Sequence, residues 1–209
     1  MNTIPPTLEL SEHAEIDALL CEAKALYRIN CQQTLLLAEQ AAAISAQYPA
    51  GAAFAALLIG QAQLILRGKD VALPLLRLAL PKTAPWPNLH GECLLALGTC
   101  SQQDQPKLAF LYYLDALEVA ISVQAYPVYA DAYLGLGNLY VSLNDSQTGL
   151  HYLLQASEWA DFSGDQDLCC KANIHLAAVL VQLQQFRLAE QVLLRAEQQL
   201  ILPLRRNWQ

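Results

Sequence analysis

Three side chains in this 209-residue chain are spaced as metal ligands could be. His90, Cys93 and Cys100 stand at i, i+3 and i+10, which on a helix sets them near one face. Two thiolates and an imidazole suit zinc, provided that the face is open and a fourth ligand stands close. Cys169 and Cys170 are adjacent and could act as a redox pair, but neighbouring residues on a helix point to different faces. The glycines Gly135 and Gly137 make a GxG, yet they lie inside an apolar helical stretch rather than after a strand, so they do not read as a phosphate-cradling loop. Tyr126, Tyr129, Tyr133 and Tyr140 form a stripe at helical spacing, of which Tyr126 and Tyr129 are free enough to edge a ligand. None of this assembles a nucleophile with a base, and the expectation is a protein that is not an enzyme and carries no cofactor and no metal.

The elements that hold these residues are helices. Leucine and alanine dominate a chain that is 55% hydrophobic and 15% charged, and nowhere do β-branched residues alternate with polar ones. The net charge of −7 and a pI of about 5.0 argue against nucleic acid and against an anionic membrane surface. The stretch from Gln40 to Leu66 has no charge, but Tyr48, Pro49 and Gly51 break it and glutamines punctuate it, so no membrane span is expected. The start, "MNTIPPTLEL", lacks a basic region followed by an apolar core and does not read as a signal peptide. The six cysteines are then expected to be free thiols in a reducing, cytoplasmic setting, filling the core as small hydrophobes.

Helix breakers recur at intervals of about 36–42 residues: Tyr48 to Gly51, Ala84 to Pro87, Tyr126-Pro127, Ser163 to Asp165, and Leu202-Pro203. A weaker turn falls midway in each interval, at Gly68 to Asp70, Ser101 to Pro106, Asn144 to Ser146 and Gln184 to Phe186. Asp70, Asp104, Asp145 and Asp165 are the candidate N-caps. Each interval is therefore helix, short turn, helix, longer loop, and a period of this size points to a repeat architecture.

The glycines fit that repeat. Gly60, Gly98, Gly137 and Ala177 align in the first helix of successive units, each preceded by a large apolar residue. In the second helix a small residue recurs at Ala72, Ala109, Gly149 and Ala189. A bulky one follows four later at Leu76, Tyr113, Leu153 and Leu193, and an alanine three after that. Glycine costs about 0.5–1 kcal/mol against alanine inside a helix. A close antiparallel crossing, with small residues letting the backbones approach and large ones interlocking beside them, offsets that cost. Gly135 falls off this pattern.

The series Tyr133, Leu136-Gly137, Tyr140, Gly149, Leu153, Ala156 resembles the tetratricopeptide repeat (TPR) family, in a long form with a period near 40, as in bacterial signalling proteins. The resemblance covers residues 52–200 well and residues 14–46 as a degenerate first unit. It implies an all-α, right-handed superhelical solenoid of about five hairpins. The expected units of this single domain are 11–48, 52–84, 87–125, 128–163 and 166–202. Cys93 and Cys100 then fall where helices pack together. "LILPLRRNWQ" does not read as a solenoid's polar cap, so the chain is expected to be the N-terminal part of a longer protein.

In this family the first helices line a concave groove. Offsets from the aligned small residue place Phe54, Glu92, Asp131 and Lys171 on its rim, Leu57, Leu95, Leu134 and Ile174 in an apolar row, and Gln61, Thr99 and Asn138 in an uncharged polar row. Amides there suit a peptide backbone and the leucines an amphipathic helix. Only Lys171 matches the basic clamp that some members use for a terminal carboxylate. The resemblance thus implies a protein-interaction or sensory-regulatory domain gripping a peptide or protein segment. It could serve as the regulator of a diguanylate cyclase or a transcription factor, with self-association into a homodimer and small-ligand reception as the alternatives.

Overall fold

The computed structural model describes residues 13–206, with side chains described through residue 197. These residues form ten α-helices and no strand. They are α1 (Ala14–Leu26), α2 (Cys31–Ile44), α3 (Pro49–Arg67), α4 (Lys69–Thr83), α5 (Pro87–Ser101), α6 (Pro106–Val123), α7 (Tyr126–Ser142), α8 (Ser146–Ser163), α9 (Gln166–Gln182) and α10 (Phe186–Arg206). Contacts divide the chain into two compact units, the first ending at Gln103 and the second beginning at Asp104.

Local chemistry sets the helix ends. Pro49, Pro87, Pro106 and Pro127 sit in the first turn of α3, α5, α6 and α7, where a missing N–H leaves no helical bond unmade. Asp145 and Asp165 cap α8 and α9 by accepting the backbone N–H of Thr148 and Leu168, each at 3.1 Å. Asp70 and Asp104 are not caps. The α3–α4 turn closes at Gly68, whose φ of 87° suits only glycine well, so α4 begins before Asp70, and Asp104 stays in the turn while Gln105 precedes α6. Asn30 caps α2 instead, accepting the Gln33 N–H at 3.1 Å. The expected break at Leu202-Pro203 lies inside α10. Proline does not end a helix in α4 either, where Pro74 and Pro81 occupy exposed interior positions.

Small residues do meet at the helix crossings. A Cβ built on Gly60 would lie 2.5 Å from Leu76 Cδ2, and one on Gly137 2.6 Å from Leu153 Cγ. Between α7 and α8 the backbones nearly touch: a Cβ on Gly149 would be 3.1 Å from the carbonyl oxygen of Gly137. The first hairpin repeats the motif with Thr34, whose hydroxyl donates to the carbonyl of Ala23 at 3.1 Å. Ala23 and Thr34 thus stand where Gly137 and Gly149 stand in α7 and α8. Gly135 has its own partner. A Cβ there would run into the Tyr113 ring, so this glycine seats the bulky residue of the preceding helix.

In the first unit the core joins α1, α2 and α3 through Leu20, Ala23, Leu37, Ala41, Ala55 and Leu58, with α4 and α5 packed on α3. α3 is long and apolar enough to cross a membrane by composition, yet ten of its residues, Gln61 and Gln63 included, are buried in this unit, so it is a core helix. In the second unit the core joins α7 to α10 through Leu134, Leu153, Ala156, Leu168, Leu176 and Leu180, with α6 packed on α7.

Candidate functional site

The first helices touch one another within each unit: α1 with α3, α3 with α5, and α7 with α9. That contact decides the fate of the expected groove. In the apolar row, Leu57 and Leu134 are buried, core rather than lining, and Leu95 is half-buried. Each is pinched on a helix with a first-helix neighbour. Ile174 differs: it is 52% exposed, on α9, which no later first helix covers among the described residues. Phe54, expected on the rim, is buried in the first unit's core.

The charged rim positions pair with one another. Lys171 donates to Asp131 Oδ1 at 2.7 Å, joining α9 to α7, and Lys24 of α1 pairs with Glu92 of α5. Lys171, the one match to a carboxylate clamp, is thereby already paired within the chain. In the polar row Thr99 is exposed, Asn138 is half-buried, and Gln61 is buried with its Oε1 atom lacking a hydrogen-bond partner. Thr99 turns its hydroxyl back to the carbonyl of Leu95 at 3.0 Å.

The Asp131–Lys171 pair thus joins α7 to α9, with Asn138 seven residues after Asp131 and Ile174 three after Lys171 on the faces those residues mark. Ile174 continues at helical spacing into Ala178 and Val181, both exposed, giving α9 an apolar strip with the Asp131–Lys171 pair at one end. Val181 also borders an open groove of about 340 Å³ walled by Phe186, Ala189, Leu193 and Leu194 of α10. Neither Val181 nor this groove follows from the groove offsets, although Val181 lies seven residues after Ile174 and so on the same helical face.

The chemistry-bearing residues of the sequence find structural roles. Cys93 and Cys100 are buried, and burial pushes both thiols up to about 11, away from the reactive thiolate. Cys93 donates its thiol to the carbonyl of Leu76 at 3.5 Å, and the half-buried His90 shares a hydrogen bond with the Thr83 hydroxyl at 3.3 Å. Cys169 is buried and pushed up to about 11 as well, chiefly by burial, with Asp161 and Asp165 adding to it. Cys21, expected in the core, is exposed on α1, and Cys31 and Cys170 are half-buried. No group of three His, Cys, Asp or Glu side chains among the described residues could hold a metal ion.

The tyrosine stripe of α7 packs on α8. Tyr126 and Tyr129 stack on Trp159 with ring centroids 5.8 and 4.9 Å away, so the expected ligand edge is instead an aromatic seam. Tyr133 and Tyr140 stack on Tyr152 at 6.2 and 5.4 Å. Burial, then the phenols of Tyr140 and Tyr133, raise the pKa of Tyr152.

No protein-family model matches the chain, and no curated protein sequence matches it. Solved structures do match its fold. Aspartyl phosphate phosphatase F from Bacillus subtilis aligns with a TM-score of 0.62 at 16% identity over 89% of this chain. The alignment spans 60% of that protein's length. BtubC from P. vanneervenii aligns with a TM-score of 0.60 at 21% identity, over 88% of this chain and 74% of its own. The nearly identical TPR-like repeats of a Podosopora anserina kinesin light chain align with a TM-score of 0.60 at 15% identity, over 90% of this chain and 97% of theirs. Helical hairpins, small-residue crossings and these likenesses agree: the chain has the TPR-like helical-repeat fold.

Proposed function

We propose that this chain is a non-catalytic protein-interaction domain, and that its second unit holds an apolar partner segment along α9. The carrying observation is the exposure of Ile174 at a position whose counterparts Leu57 and Leu134 are buried. An apolar strip of Ile174, Ala178 and Val181 runs beside the Asn138 amide, which can pair with a peptide backbone. An amphipathic helix is the occupant that best suits such a strip. The fold likeness to TPR-like proteins supports the class of role. In the finer form of this reading the chain serves as the N-terminal regulator of a bacterial signalling protein, such as a diguanylate cyclase or a transcription factor, in the cytoplasm, in keeping with six free cysteines.

The test is selection of helical peptides from a displayed library on the immobilised chain, followed by titration calorimetry of the winner. Ile174→Asp and Asn138→Ala are each expected to weaken binding by at least about tenfold, roughly 1.4 kcal/mol, with the melting temperature held. Unchanged affinity in both variants would remove α9 as the site.

A further inference from the structure

Each internal hairpin junction in this fold follows one register. The bulky residue of a second helix lies four after its small crossing residue; Leu76 and Leu153 pack on the crossing glycine of their own hairpin, and Tyr113 packs on the first helix of the next. Leu76, Tyr113 and Leu153 are all at most 1% exposed in this position, as is Ala38 of α2, where an alanine takes the place of the bulky residue. Tyr113 of α6 shows the seat directly, since it rests on Gly135 of α7, two residues before the crossing residue Gly137. Polar ties repeat at two of these junctions. Lys69 of α4 donates to Gln103, just past α5, at 3.3 Å, and Ser146 of α8 donates to Gln182 of α9 at 3.4 Å. Both ties join the position three before the small residue of the second helix to the position five after the crossing residue of the next first helix.

The first and last described helices leave this junction half-made. Leu193 of α10 holds the bulky position and is 47% exposed, bordering the open groove with Val181 and Phe186. At the other end, the positions of α1 that face a preceding hairpin can be counted from Ala23. In α7 the corresponding residues, Val128, Ala132, Gly135 and Leu139, are buried or half-buried. In α1 they are Ala14, Ala18, Cys21 and Ala25, and every one is exposed. The bare face of α1 thus carries small residues where a first helix receives the bulky residue before it, and the bare face of α10 presents that bulky residue.

We infer that a second copy of this chain docks end to end, its α1 filling the groove on α10 and continuing the junction already built within the chain. Leu193 of one copy seats on Cys21 of the next, as Tyr113 seats on Gly135. The register of the polar ties brings Phe186 opposite the Arg28 end of α1. Glu197 meets the Asp17 end of α1, a like-charge approach that keeps the contact weak. The joint is heterologous, each copy using a different face, so it propagates beyond a dimer.

Light scattering and sedimentation velocity on the full chain, over about a hundredfold range of concentration, test this. The mean mass is expected to rise with concentration past that of two chains. Leu193→Asp and Ala18→Arg change exposed residues on opposite ends, and each alone is expected to weaken association by at least about tenfold with an unchanged thermal melt. Mixed in equal amounts, the two variants keep one sound α1 face and one sound α10 face, and should give a one-to-one dimer and nothing larger. A wild-type chain that stays monomeric throughout, variants that associate like the wild type, or a mixture that stays monomeric would each overturn the inference.

Discussion

Side-chain size at single positions governs this protein. Gly135 stands off the repeat pattern because its partner, Tyr113, belongs to the preceding hairpin, and a tyrosine in a place where other hairpins carry leucine or alanine needs a glycine to receive it. The pattern within hairpins, Gly60 with Leu76 and Gly137 with Leu153, is legible in the sequence because the spacing repeats every forty residues or so. The Tyr113–Gly135 match occurs once, and a single match leaves no periodic signal. Gly135→Ala is expected to cost about 1–3 kcal/mol through overpacking against the Tyr113 ring. Urea unfolding should show this, and Tyr113→Leu in the same chain should restore part of the loss. The cysteines teach a related lesson: ligand-like spacing at His90, Cys93 and Cys100 arises from a shared helix face, and burial leaves those thiols protonated and structural.

At the scale of the element, the first helices behave differently from one another although their sequences align. Leu134 and Ile174 hold the same repeat position, yet Leu134 is buried and Ile174 is not, because α7 has α9 beside it and α9 is the last first helix described. Sequence offsets find the helical face correctly but cannot tell how closely the neighbouring first helix approaches it. Leu134→Ala is therefore expected to cost about 2–5 kcal/mol in chemical denaturation, and Ile174→Ala to stay within about 0.5 kcal/mol of the wild type. α9 also carries a pH response. Burial, then the Lys171 charge, lowers the pKa of the half-buried His175 below its ordinary 6.5. The unfolded chain then binds this proton more readily than the folded one, so the stability present above pH 6.5 is lost as pH falls below it. Comparing urea midpoints at about pH 7.5 and about pH 5.5 should show a drop that His175→Gln reduces. The aspartate caps divide in the same way: Asp145 and Asp165 follow the sequence signal, whereas Asp70 is displaced by a glycine turn that starts α4 earlier.

At the scale of the whole chain, the helical-repeat class was readable from breakers and small residues, since both recur. Which faces of α1 and α10 stay exposed was not readable, because exposure depends on how closely another element packs there rather than on residue type. The bare faces of α1 and α10 have compositions that resemble internal, buried junctions. Everything rests on helices that cross at near backbone contact, most closely where Gly149 approaches the Gly137 carbonyl. The most direct measurement is the urea denaturation of Gly137→Leu beside Ala178→Leu, a control that puts the same side chain on the exposed face of α9. Gly137→Leu is expected to lose at least about 3 kcal/mol or to fail to unfold cooperatively, with the control close to wild type. A Gly137→Leu chain that unfolds at the wild-type midpoint would contradict it.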